Sequence, residues 1–264
     1  CKDARRSAQA LLKKTLDAPR IKLLTQFNAL PDGVKFLVDM RAELLALELA
    51  EPALQGLEQE LKALLATWFD VDFLELRRIT WDNASAALLE KLIAYEAVHA
   101  INGWDDLKNR LDSDRRCFAY FHPRMPDEPL IFVEVALVNG LADNIQALLD
   151  ENAPVQDPRT ADTAIFYSIS NAQTGLAGIS FGNFLIKRVV ESLSAEFKGL
   201  KTFATLSPVP GFMGWLNKTL AEGDPKLLTD SERKALSASV GKKTGAKGTL
   251  KSLLGDPGWH RNPT

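Results

Sequence analysis

Only two cysteines, Cys1 and Cys117, occur in 264 residues. That excludes a disulfide framework or a four-cysteine metal site and makes a reduced compartment the default. Histidine is almost as scarce. His99, His122 and His260 stand far apart, without H-x-x-x-H or H-E-x-x-H spacing, so no zinc site is expected. Long apolar runs are missing as well: Leu130 to Val138 is interrupted by Glu134, far short of the ~20 residues that span a bilayer. Neither sign of charge prevails. Net charge is −2 and the pI is near 6.0, so a general nucleic-acid or anionic-membrane surface is not expected. An internal repeat, an initiator Met and a cleavable signal pattern are all lacking, and Gly255 to His260 reads as mid-chain sequence. A fragment truncated at both ends is therefore expected.

What is present is the balance of a globular protein, 46% apolar and 25% charged, with length for one large or two ordinary domains. The first ~110 residues read as successive helices. Leu11, Leu12 and Leu16, then Ile21, Leu24 and Phe27, recur at helical spacing. After Pro31-Asp32-Gly33 come Phe36, Leu37, Met40, Leu44 and Leu47; after Pro52 come Leu57, Leu61, Leu64, Leu65 and Phe69. Asn83 suits an N-cap for a helix over 84–101. Short linkers between these helices predict an α-bundle.

The texture changes near Arg116. Cys117–Phe121 and Leu130–Val135 are β-rich, joined by a loop with three prolines, His122 to Pro129. Ala142–Leu149 reads as a helix, Ala164–Ile169 as a strand, Gly182–Phe197 as a helix and Lys201–Leu206 as a strand. Strand, loop, helix and strand in succession favour a parallel crossover. Residues 241–251, rich in Gly, Ser, Thr and Lys, read as a loop.

Two features carry chemistry. The stretch Gln173 to Gly182 has glycines at 175, 178 and 182, between a strand and a helix. Bare N–H groups and the helix dipole there suit a pyrophosphate. It is neither a Walker loop nor G-x-G-x-x-G, and a ligand-free connection fits the pattern equally. Ser207 ends a strand ahead of Pro-Val-Pro-Gly-Phe. The pattern favours an N-cap for a helix over Met213–Leu220; a reactive hydroxyl at the carboxyl end of a strand is the alternative. His99 reads as a packed helix residue, His122 as a polar turn residue, Cys117 as a core thiol. Lys242, Lys243, Lys247 and Lys251 read as a solvated loop, with contact to an adenine nucleotide phosphate as the alternative.

The stretches CFAYFHPRMPDEPLIFVEVAL, AIFYSIS, GLAGISFGNFLIKRVV and LSPVPGF, with WFDVDFLELRRITWDNASAALLEKLIAYEAVHAINGWDDLKNRL upstream, closely resemble the malonyl-CoA decarboxylase family. The resemblance implies an α+β chain: a helical domain over 1–112, then an acetyltransferase-like mixed α/β domain over 113–264, incomplete at its C-terminal side. It implies conversion of malonyl-CoA to acetyl-CoA and CO2 without a metal or organic cofactor. Ala177, Gly178, Ile179, Ser180, Phe181, Gly182 and Asn183 become the malonyl-CoA phosphate loop, and Ser207 the catalytic serine. The strand Ile165–Ser170 would pair with the pantetheine arm and bring Ser168 near the thioester. Ala177 and Ser180 depart from the acetyltransferase anchor pattern, which leaves phosphate contacts to the backbone. The family's histidine motif, resembling P-V-A-x-F-H-L-x-N-G-A, is absent, and His260 lies in another context. Poor turnover by this piece alone is therefore expected.

Loss of CO2 leaves an enolate on the thioester, which needs oxyanion stabilisation and a proton at the α-carbon. A CoA-dependent acyltransferase and a non-catalytic acyl-CoA-binding module are the alternatives. Expected partners are malonyl-CoA and acetyl-CoA, with homo-oligomerisation through the helical domain and neither nucleic acid nor membrane. The expected setting is a bacterial-type cytoplasm, with mitochondrial or peroxisomal placement also open.

Overall fold

Helix α1 (Pro19–Gln26) begins on a proline, whose missing N–H costs nothing in the first turn. Helices α2 (Gly33–Ala46) and α3 (Pro52–Trp68) follow. On α2 the buried positions Val34, Leu37, Val38, Arg41 and Leu44 form a single stripe, with one charged residue set among the apolar ones. The computed structural model describes residues 19–47, 52–181, 184–222, 227–240, 248 and 250. The helical spacing around Leu11 to Leu16 lies outside them, as does the expected loop over 241–251 apart from 248 and 250.

The sheet takes its first strand from inside residues 1–112, where periodicity predicts helices alone. Strand β1 (Glu75–Ile79) is short and half-exposed, and runs antiparallel beside β2 (Arg115–His122). Its two arginines mask the strand pattern, as charges on an edge strand commonly do. Between them lie α4 (Ala86–Tyr95) and α5 (Trp104–Arg110). Asn83 is not the cap of α4. It exchanges hydrogen bonds with Thr80, and Ser85 Oγ accepts from Leu88 N instead.

Strand β3 (Met125–Val138) pairs antiparallel with β2 and with β4 (Thr163–Asn171). The short α6 (Ile145–Leu148) connects them, capped by Asn144. From β4 the chain crosses through α7 (Phe184–Glu196) to β5 (Thr202–Thr205), which pairs parallel with β4. This is the expected crossover. The order β1-β2-β3-β4-β5 makes one mixed sheet, and the α+β class holds.

Alternation divides the core between the two faces. Phe118, Tyr120, Ile131, Val133, Val135 and Phe166 pack with residues of α2, α3 and α7. Cys117, Ala119, Phe121 and Phe132 pack against Leu89, Leu92 and Leu107 of α4 and α5. One irregularity bears on function. Val135 pairs with Phe166 but Glu134 pairs with Ser168, so Tyr167 is an extra residue in β4. Such a bulge breaks the two-residue alternation and sets Ser168 and Ser170 opposite Glu134 and Phe132.

The chain divides into two compact units, residues 1–206 and 207–264. The second contains α8 (Phe212–Glu222), with Leu216, Thr219 and Leu220 buried, and α9 (Asp230–Val240).

Candidate active site

Strand β4 ends at Asn171, and the glycine-bearing loop begins there. A 3-10 turn, Thr174–Leu176, opens the loop. Gly175 lies so close to α2 that a Cβ on it would stand 1.8 Å from the Val38 carbonyl oxygen. Arg41, buried on α2, holds the turn from below. Its Nη1 donates to Gly175 O at 2.6 Å, its Nη2 to Ala177 O at 2.9 Å, and its Nε and Nη2 to Glu58 Oε1. Gly178 has φ of +72°, left-handed backbone that glycine adopts without strain. Ala177, Gly178 and Ser180 are exposed, Ile179 is half-buried and Phe181 is buried. Gly182 and Asn183 lie outside the described residues.

β4 pairs with β5 only from Thr163 to Phe166, and Leu206 N donates to Phe166 O as the strands part. From Ser168 to Asn171, β3 is the only strand paired with β4 among the described residues.

Ser168 sits on this segment, 1% exposed. Its Oγ donates to Glu96, 2.7 Å from Oε1 and 2.9 Å from Oε2. Ser170 Oγ donates to Oε2 at 3.0 Å, and the amides of Val98 and His99 donate to Oε1. Glu96 thus ends α4 at Tyr95, because its carboxylate turns inward to satisfy these donors. Beside it, Glu134 is buried and paired with Arg110 at 3.0 Å. Burial pushes the Glu134 carboxyl up to about 7, against the pull of Arg110 and with repulsion from Glu96 adding to the rise. Arg110 also grips Asp106 through two bonds. Burial opposes ionisation of Asp106, but Arg110 and Asn102 hold its carboxyl below the usual range.

The comparisons decide the family. A malonyl-CoA decarboxylase N-terminal domain model matches residues 2–69 and a malonyl-CoA decarboxylase C-terminal domain model residues 72–264. This chain belongs to the malonyl-CoA decarboxylase family. It is 40% identical over 253 residues to the mitochondrial malonyl-CoA decarboxylase of Mus musculus, a match covering 91% of this chain and 51% of that protein. The Rattus norvegicus protein is 39% identical over 256 residues, covering 92% and 51%. The crystal structure of malonyl-CoA decarboxylase from Rhodopseudomonas palustris superposes with a TM-score of 0.80 at 42% identity, covering 96% of this chain and 64% of that one. That from Agrobacterium vitis gives 0.78 at 43%, covering 96% and 63%. The chain spans about half the length of the curated relatives it matches.

Within this chain, Ser168 and the loop are joined by one strand end. Ser207 falls in the second unit, exposed between β5 and α8. It does not cap α8, which starts at Phe212 with Gly211 O accepting from Trp215 N. His99 is not on a helix: it follows α4 in a bend, its Nε2 buried without a hydrogen-bond partner. Burial lowers its pKa, partly countered by Glu96. His122 is buried at the end of β2. Its Nδ1 accepts from Arg124 N, which leaves Nε2 to donate to Trp68 O at 3.1 Å. Cys117 is 1% exposed, and burial drives its thiol pKa well up. Among the described residues no group of three or more His, Cys, Asp or Glu could hold a metal ion, and no helix is long and apolar enough to cross a membrane.

Sequence reasoning misses Glu96, Arg41 and the Tyr167 bulge. Glu96 and Arg41 carry common surface residue types, and nothing local marks Glu96 as a half-buried acceptor or Arg41 as a buried donor. A bulge leaves no signature in an apolar strand.

Proposed function

We propose that the protein containing this chain decarboxylates malonyl-CoA to acetyl-CoA and CO2. The observation that carries this reading is the parting of β4 from β5 after Phe166, which leaves the end of β4 that bears Ser168 without a second partner strand ahead of the glycine loop, within a chain of this family. Ile165 and Phe166 already pair with β5, so of the expected stretch Ile165–Ser170 only Tyr167–Ser170 is open to an extended ligand arm, and its phosphates can sit on the loop Ala177 to Asn183.

Rupture of the carboxylate–α-carbon bond releases CO2 and leaves its electron pair on the thioester as an enolate. A proton then adds to the α-carbon and gives acetyl-CoA. Ser207, paired with an imidazole in the full-length protein, is the proposed catalytic hydroxyl, orienting the malonyl carboxylate and relaying a proton. Ser168 is proposed to lie near the thioester. In its observed state its hydrogen is committed to Glu96, so it meets a ligand as an acceptor. The proposal calls for no metal or organic cofactor. It includes a homo-oligomer formed through the helical domain and a cytoplasmic setting; the rodent relatives are named as mitochondrial.

Product analysis tests the reading. The full-length protein with malonyl-CoA alone is expected to yield equal CO2 and acetyl-CoA. Turnover only with an added amine would establish an acyltransferase instead, and binding without turnover an acyl-CoA-binding module.

A further inference from the structure

A pyrophosphate-bearing ligand needs positive charge, and the stretch Gln173 to Phe181 contains no Lys or Arg. Among the described residues, two cations of α2 and α3 lie beside it. Arg41 is one, but its charge is matched by Glu58, with Oε1 2.8 Å from Nη2. Its two bonds to the loop have a geometric consequence. A planar trans peptide points its C=O and the following N–H in opposite directions. Holding the carbonyls of Gly175 and Ala177 against the guanidinium therefore turns the N–H groups of Leu176 and Gly178 away from it. Leu176 N–H is spent on Gln173 O, within the turn.

Lys62, exposed on α3, is the other cation. Its Nζ lies 3.0 Å from the place a Cβ on Gly178 would take. Among the described residues no carboxylate pairs with it and no hydrogen bond holds it. A hydrated ammonium on a flexible stem can swing onto an anion at little cost, unlike the locked guanidinium of Arg41.

We propose that helices α2 and α3 complete the acyl-CoA site: Lys62 pairs with a ligand phosphate, and Arg41 is a positioning residue that keeps the loop carbonyls turned from it. This rests on the acyl-CoA reading of the loop. It extends the site beyond the loop to two residues of the helical region.

The test compares kcat/KM for malonyl-CoA with that for malonyl-pantetheine, which lacks the phosphates, in the full-length protein. Lys62→Ala, on an exposed face, is expected to fold normally, to raise KM for malonyl-CoA about tenfold with kcat held, and to lower the ratio of the two specificities by that factor. Arg41→Lys is expected to lower the same ratio, whereas a mere loss of folded protein lowers both numerators and leaves the ratio alone. An unchanged ratio in Lys62→Ala overturns the proposal while the acyl-CoA reading stands. A parent protein that shows no preference for malonyl-CoA and no CoA binding by calorimetry overturns both.

Discussion

Ser168 Oγ lies 2.7 Å from Glu96 Oε1, across the interface between β4 and the end of α4. An ionised carboxylate only accepts, so the hydroxyl hydrogen is directed at Glu96. The carboxylate in turn accepts from Ser170 and two main-chain amides. One side chain therefore orders a bulged strand, a helix terminus and a candidate substrate contact.

Removing the acceptor is expected to cost more than removing one donor. Ser168→Ala should destabilise by about 1 kcal/mol, the usual net value of one hydrogen bond. Glu96→Ala strands several buried donors and should cost ~3 kcal/mol. Urea unfolding of both variants checks the order; a larger loss in Ser168→Ala would show that Glu96 does not hold the network.

Glu134 gives a pH signature. Its folded carboxyl titrates near 7, above its ordinary value of 4.5, so between those values the folded chain binds the proton and the unfolded chain does not. Stability then falls as pH rises through this window: the contribution is full below 4.5 and lost above 7. The stability difference between the parent and Glu134→Gln should shrink in the same direction from pH 5 to pH 8. A difference flat across that range would remove the buried-carboxyl assignment.

His122 carries the opposite sign. Burial lowers its pKa, with the bond to Trp68 O working the other way, so the folded form holds the ring neutral longer than the unfolded chain does. Its contribution is present above 6.5 and lost as pH falls below it. With both ring nitrogens bonded, and the ring 4.8 Å from Phe69, the role is structural. His122→Phe should cost about 1–3 kcal/mol of stability and leave kcat per folded molecule unchanged. A fall in kcat with intact stability would place the imidazole in the chemistry.

The sequence shows best what local pattern encodes. The strands around Phe118, Val133 and Ile165 are buried on both faces and read as apolar runs, and the crossover follows from the order of elements. β1 is hidden by Arg77 and Arg78, and the end of α4 depends on a carboxylate whose side-chain partners, Ser168 and Ser170, lie more than seventy positions on, in β4. The glycine loop is legible because Gly178 needs left-handed backbone and Gly175 a close approach to α2. What fixes the loop, Arg41, becomes visible only when α2 is packed beneath it.

Gly178 offers a separate check on the loop. With φ of +72° and Lys62 beside it, Gly178→Val is both strained and crowded. The strain alone should cost ~1–2 kcal/mol. CoA affinity by calorimetry should drop while the far-UV spectrum stays that of the parent; unchanged affinity would remove this part of the loop from the site.

Ser207 is the central claim, and kcat with KM for Ser207→Ala is its most direct measurement. The assay uses the full-length protein with malonyl-CoA alone, and CO2 and acetyl-CoA are both quantified. A fall in kcat of ~10²-fold or more with KM near that of the parent is expected for a lost acid–base or oxyanion group. A kcat equal to that of the parent would contradict a catalytic role for this hydroxyl.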